Sequence, residues 1–300
     1  MIGRRIQIEP VSPVIGAEVR GVDLSHPLDE NAFQEIHAAL LKHLVLFFRD
    51  QTITLEQHKA FGRRFGELHV HPAAPKEDEH PEILVVHGDA TVDFVAGEVW
   101  HSDVSCDVAP PMGSILRIVE VPSCGGDTLF ASMYAAFEAL SDQMQRFLCG
   151  LTAVHDGEHY YRGRYGSKHL RDAAYPSAEH PVVRTHPASG RSALYVNEGF
   201  TTRIKQLNPA ESNAVLSFLF RHCARPDLQC RFRWRKDSVA FWDNRCTQHL
   251  AIWDYWPETR HGYRVTIKGD RPFYDATMSR RQASEDRRQE KGVDSFTSSS

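Results

Sequence analysis

Apolar positions first recur at helical spacing over residues 31–43, where Phe33, Ile36, Leu40 and Leu41 share one side. Asp29 stands just ahead as a candidate N-cap, so the pattern predicts an amphipathic helix. A continuous apolar run at 44–48 predicts a buried strand. A second helix is expected over 55–65, capped by Thr54. Beyond it the period changes, and short β-like runs occupy 83–86, 114–121, 181–185, 193–196, 229–234, 238–242 and 262–267. In 231–234 and 238–242 apolar and polar residues roughly alternate, which predicts strands with one face in a core. Helical patterns return at 134–140, 142–149 and 209–222. Strands outnumber helices and come in runs. The expectation is a mostly β fold with flanking helices, an antiparallel sandwich or barrel and not a doubly wound sheet. A single domain is expected over residues 1–276, followed by a polar tail at 277–300 whose Ser, Arg, Gln and Glu content predicts disorder.

Composition narrows the class. With 41% apolar and 25% charged residues, the chain reads as an ordinary globular protein. A net charge of -4 without a basic stripe provides no electrostatic footprint for nucleic acid. The longest apolar run, 44–48, is too short to span a bilayer, and Met1-Ile2-Gly3-Arg4-Arg5 lacks the apolar stretch of a signal peptide. The six cysteines show no paired spacing, so reduced thiols and a cytoplasmic location are expected.

The chemistry concentrates in Trp100-His101-Ser102-Asp103 and, far downstream, Gln248-His249. On an extended segment His101 and Asp103, two apart, face the same side. A histidine from a distant strand then completes one triangular face of an octahedral metal. Two imidazoles and a carboxylate leave three positions open, as a non-haem Fe(II) oxygenase needs for a bidentate co-substrate plus O2. A structural zinc site closes with four ligands, usually thiolates, and no cysteine is suitably placed. In a chain with 17 histidines, H-x-D can also arise as an ordinary surface turn. Arg260 adds weight: it follows His249 by eleven positions, and a guanidinium forks a carboxylate such as the distal end of 2-oxoglutarate. Thr128, in Gly125-Gly126-Asp127-Thr128, can contribute a hydroxyl to the same carboxylate. The alternatives are a solvated arginine and a simple glycine turn.

These segments, in this order, resemble the taurine dioxygenase group of Fe(II)/2-oxoglutarate enzymes, which also includes alkylsulfatases and phenoxyacid dioxygenases. The likeness runs over residues 6–272. It includes Phe65-Gly66-Glu67-Leu68-His69-Val70-His71-Pro72, Val196-Asn197-Glu198-Gly199-Phe200 and Trp242-Asp243-Asn244-Arg245-Cys246-Thr247-Gln248-His249. The resemblance implies a double-stranded β-helix (jelly-roll) core, with His101, Asp103 and His249 as iron ligands and Arg260 and Thr128 as 2-oxoglutarate contacts. It further implies His71 and Arg264 as holders of an anionic substrate head, Phe200 and Tyr161 as aromatic walls, and a homo-oligomeric assembly.

Two departures bear on the substrate. Ala74 stands where the taurine enzyme has a tyrosine, and Gly97 where it has a substrate-binding asparagine. Both changes remove a polar partner, and sites built to hydrogen-bond a substrate discriminate strongly. A small organic anion, bulkier or more apolar than taurine, is therefore expected to be hydroxylated with release of succinate and CO2. The hydroxylated product can then fragment if its carbon carries sulfonate, sulfate or aryloxy. The other readings are a phenoxyacid or natural-product-tailoring oxygenase, and a non-catalytic jelly-roll binding protein.

Overall fold

The architecture is organised around one strand buried on both faces. In the computed structural model, which describes residues 5–71, 79–95, 97–162 and 175–278, Ser238–Asp243 lies between Val45–Phe48 and Gly113–Glu120, antiparallel to both. Gly113–Glu120 continues to Arg260–Ile267, which pairs in turn with Ile83–Gly88 and the short Leu68–His69. On the other side, Val45–Phe48 pairs in parallel with Ala17–Arg20, and Gln7–Pro10 closes that edge. A smaller antiparallel sheet places Thr128–Ser132 between Gln229–Phe232 and Thr247–Ala251.

The period-2 geometry of strands explains the layering. Val45, Phe47, Leu116, Ile118, Ala240 and Trp242 point toward the small sheet. Phe47 stacks on Phe232 at 4.0 Å and reaches Phe130 at 5.6 Å. Their neighbours Leu46, Phe48, Ile115, Val239 and Phe241 point the other way, into a core with Ile36, Leu40 and Phe61 of two covering helices. The expected alternation at 238–242 is therefore corrected: all six residues of Ser238–Asp243 are buried. Its polar ends stay inside because they are bonded, Ser238 Oγ accepting from Arg49 Nη1 at 3.0 Å and Asp243 being held by Arg245 and His186.

The two covering helices, Glu30–His43 and Leu55–Arg63, start where their caps dictate. Asp29 Oδ1 accepts from Ala32 N at 2.8 Å, and Thr54 and Gln57 form a reciprocal capping box. Helices Met133–Glu138, Asp142–Leu148 and Pro209–Cys223 match the later helical patterns. The run at 181–185 divides into two strands of separate sheets, Ser177–Pro181 and Val183–Thr185. The reason is a change of partner at Val182, whose N–H donates to Leu151 while its carbonyl accepts from Tyr195. Facing antiparallel sheets with helices outside form the expected mostly β, double-stranded β-helix fold. Among the described residues no helix is long and apolar enough to cross a membrane. Of the tail expected to be disordered at 277–300, Thr277 and Met278 are described and lie in a helical turn, their N–H groups donating to Asp275 Oδ1; the rest lies outside the described residues, as does Ala74.

His58, on the second covering helix, is buried beneath the main sheet and its Nε2 donates to Ile115 O at 3.1 Å. Burial lowers its pKa to about 4, with that bond only partly offsetting the effect. His180, donating to Asp107 O, is likewise lowered to about 4, chiefly by burial. An unfolded imidazole titrates near 6.5, so the stability held by these neutral rings is complete above that pH. It is lost as pH falls toward 4, by up to roughly 3 kcal/mol per ring. Urea unfolding midpoints should therefore drop between pH 6.5 and 4, and His58→Gln should flatten part of that slope. An unchanged slope in the variant would contradict the assignment.

Candidate active site

His101 and His249 meet through backbone hydrogen bonds. They form an isolated antiparallel bridge, His101 N donating to His249 O at 3.1 Å and His249 N to His101 O at 2.9 Å. The extended geometry expected of the H-x-D segment ends there. After His101 the chain turns, with Val104 at φ +48° and Asp107 N donating to Val104 O. The turn brings the Asp103 carboxylate beside both rings. Asp103 Oδ1 lies 3.7 Å from His101 Nε2 and 4.0 Å from His249 Nε2, and all three side chains are buried.

Each donor is oriented by its surroundings. His101 Nδ1 lies 2.8 Å from Val99 O, an acceptor only, so Nδ1 carries the hydrogen and Nε2 turns its lone pair toward Asp103. Burial, reinforced by His101, holds the His249 pKa well below the usual imidazole range, so this ring is a neutral donor. Burial raises the Asp103 pKa, but Arg264, foremost among its neighbours, overcomes that and holds it well below the ordinary carboxylate range. Two nitrogen donors, one carboxylate and no thiolate fit a 2-His-1-carboxylate metal face and not a closed zinc site.

Sequence reasoning assigned no role to the residue that braces this face. Asn244 Oδ1 accepts from Trp242 Nε1 at 2.9 Å and from Asp103 N at 3.3 Å, while its Nδ2 donates to Ser114 Oγ at 2.9 Å. Ser114 Oγ donates onward to Asp103 Oδ2 at 2.7 Å, and Ser102 Oγ donates to Asn244 O. A polar residue directly after an apolar strand was the available signal. Tyr160 was also missed in favour of its neighbour Tyr161. Its ring stacks on His101 at 5.6 Å, and its hydroxyl accepts from Gly97 N at 2.9 Å.

Every site residue expected from the sequence lines one cavity of about 470 Å³: His71, His101, Asp103, Thr128, Tyr161, Phe200, His249, Arg260 and Arg264. At one end, Arg260 is buried, with Nε donating to Gly126 O at 3.0 Å and Nη2 reaching Thr128 Oγ1 at 3.4 Å. Burial lowers its pKa to about 10, which leaves it charged at neutral pH. Among the described residues no carboxylate lies within 4 Å of it; Asp127 acts on it only at longer range and is itself paired with Arg231 at 2.6 Å, and the Trp234 ring lies 5.4 Å away. Thr128 Oγ1 accepts from Trp234 Nε1 at 2.9 Å as well as from Arg260, so its own hydrogen is left to donate. The strand register puts Phe130 opposite His249, so Thr128 is its diagonal neighbour, about 7–8 Å away. The Gly125-Gly126 turn is more than a turn. Both glycines have positive φ, and a Cβ on Gly126 would stand 3.2 Å from Arg260 Cδ.

At the other end, Arg264 Nη1 lies 2.6 Å from Asp103 Oδ1, and its Nε is buried without a hydrogen-bond partner among the described residues. His71 packs edge-on against Tyr161, and Phe200 packs against both Tyr160 and Tyr161. Burial and the Arg264 charge lower the His71 pKa to about 3, so it offers a hydrogen bond and not a charge. Gly97 sits at φ +92° with a hypothetical Cβ 3.2 Å from His101 Cε1, so a side chain here would be strained and would crowd the His101 ring. Leu84, Val86, Phe94 and Leu116 make much of the remaining wall apolar.

A second group, His186, Asp243 and Cys246, has metal-like spacing. Its carboxylate is already neutralised: Arg245 holds both Asp243 oxygens, at 2.9 and 2.6 Å, and His186 Nε2 lies 3.0 Å from Oδ2. This is an internal ion-pair network.

The chain matches the family model described as taurine catabolism dioxygenase TauD, TfdA family over residues 7–266. It is 37% identical to an alpha-ketoglutarate-dependent sulfate ester dioxygenase of Pseudomonas putida, over 92% of this chain and 94% of that protein. A crystal structure of a taurine dioxygenase from Burkholderia xenovorans superposes with a TM-score of 0.77 at 40% identity, covering 89% of this chain and 92% of the other. AAD-2, solved in complex with Mn(II) and N-oxalylglycine, superposes with a TM-score of 0.75 at 29% identity, covering 90% and 100%.

Replacing Asn244 with alanine leaves Trp242 Nε1 and Asp103 N without their buried acceptor. Denaturant unfolding should show a loss of about 1–3 kcal/mol for each donor stranded. A change below about 0.5 kcal/mol, the range of ordinary surface substitutions, would remove Asn244 from this bracing role.

Proposed function

The chain belongs to the taurine catabolism dioxygenase TauD, TfdA family, whose members use 2-oxoglutarate, and on that premise we propose that it is an Fe(II)-dependent oxygenase that hydroxylates a small organic anion. The observation that carries the reading is a shared cavity. Three convergent candidate metal donors and a buried guanidinium with no carboxylate within 4 Å among the described residues line the same 470 Å³ space. His101, Asp103 and His249 would hold Fe(II), and Arg260 with Thr128 would hold the distal carboxylate of 2-oxoglutarate. When bound there, iron supplies the redox chemistry that couples O2 and 2-oxoglutarate to C–H oxidation, yielding succinate and CO2.

The remaining work belongs to the chain's own groups. Arg264 supplies positive charge and His71 an N–H to the substrate's anionic head, which fixes the substrate against the Asp103 side of the cavity. Phe200 and Tyr161 wall the organic body, and the packed aromatics exclude water from it. Gly97 supplies no side-chain polar group and the wall at Leu84, Val86 and Phe94 is apolar, so the substrate is an acid with more apolar bulk than taurine. Sulfate esters, longer sulfonates and aryl or alkyl carboxylates fall in this class. The six cysteines are all unpaired, which supports a cytoplasmic setting.

Succinate release across a panel of sulfonates, sulfate esters and carboxylates should depend on Fe(II) and 2-oxoglutarate and should favour members bulkier than taurine. Taurine as the best substrate would overturn the specificity reading. His101→Ala and His249→Ala should each abolish turnover. Arg260→Ala should raise the 2-oxoglutarate requirement at least ~30-fold, the consequence of losing roughly 2–5 kcal/mol from a buried charge pair. An unchanged requirement would remove Arg260 from its role. Arg264→Ala should raise the substrate KM while Fe(II) binding persists.

A further inference from the structure

Beside the same cavity stands a pair of histidines that the proposed reaction does not use, one of which lines it. His87, on Ile83–Gly88, lines the cavity mouth and is directly opposite His261 in the register with Arg260–Ile267. Their Nδ1 atoms lie 3.2 Å apart and their rings meet at 71°. Asp89 Oδ2 lies 3.1 Å from His87 Nε2, on the far side of that ring. A carboxylate only accepts, so the His87 hydrogen is on Nε2 and the lone pair on Nδ1 faces His261. Asp89 is itself anchored, its Oδ1 accepting from Thr91 N at 2.7 Å and Thr91 Oγ1 at 2.6 Å. Glu120 stands opposite His261 on the next strand.

We infer that His87 and His261 form a second site for a divalent transition-metal ion of the nickel, copper and zinc class, separate from the His101–Asp103–His249 face. Two imidazole nitrogens bound at about 2.0–2.1 Å stand about 2.9–3.4 Å apart across a metal, depending on whether the angle is octahedral or tetrahedral. The observed 3.2 Å lies inside that window without movement of either strand. The carboxylate behind His87 repeats the carboxylate–histidine–metal arrangement that fixes a ligating tautomer and raises its basicity. For such an ion to bind, the hydrogen between the two Nδ1 atoms would move to His261 Nε2, so that both rings ligate in the neutral form with no net loss of a proton. Burial, and then His87, lower the His261 pKa, which favours the neutral ring that ligation requires. Thr91, foremost, keeps Asp89 ionised, with a pKa of about 2. Imidazole donors with water in the remaining positions suit borderline ions and not calcium or magnesium, which prefer all-oxygen shells.

The test is metal stoichiometry on the full-length protein, stripped of metal and titrated with Ni2+ or Zn2+ by calorimetry, with elemental analysis after dialysis. Wild type should hold two ions per chain. His87→Gln and His261→Gln should each hold one, and His101→Gln should retain the rim ion. Asp89→Asn should keep both sites but weaken the rim site about 10- to 100-fold. A wild type that takes up only one ion, or a His261→Gln variant that still takes up two, overturns the assignment.

Discussion

Two backbone hydrogen bonds between His101 and His249 are the constraint on which the site depends. They join a segment following the Ile83–Gly88 strand to a strand of the small sheet, and so set two imidazoles side by side with centroids 4.1 Å apart. Everything else in the candidate metal face is arranged around that bridge. The turn at Val104 swings Asp103 back to it, and Asn244 with Ser114 keeps the carboxylate from rotating away. A side chain alone cannot hold a ligand to the tolerance such chemistry requires; here the main chain does the positioning and side chains refine it.

The second governing feature is charge held in a dry place. Arg260 is buried and makes its hydrogen bonds to a carbonyl and a hydroxyl, never to a carboxylate. Such a group is costly to a fold unless an anion joins it. Asp103, by contrast, is compensated from within by Arg264. The cavity thus holds one cation paired directly with a carboxylate and one that, among the described residues, has no carboxylate within 4 Å.

The layered core explains why the site is rigid. Phe47, Phe130, Phe232 and Trp242 interlock between the sheets, and His249 packs against Phe130 and Trp242 at 6.1 and 4.7 Å. A ligand embedded among aromatics has few alternative rotamers. The rim, by contrast, is more exposed at His87 and Asp89, and charged groups there are free to serve binding and not packing.

Helices with strong caps were legible in the chain itself: Asp29 and Thr54 announce their helices because capping is a local bond within three residues. That nine candidate residues would share one cavity was legible too, partly from spacing and more from motif resemblance. The strands that carry much of the site, Thr128–Ser132 and Thr247–Ala251, were not, since each mixes polar site residues with apolar ones and breaks the periodic signal. Nor were the double burial of Ser238–Asp243, the bracing by Asn244, the stacking of Tyr160 or the pairing of His87 with His261. Each depends on contacts between segments far apart in sequence. Local bonds are written in neighbouring residues, whereas strand register and side-chain convergence are settled only when distant segments pack together.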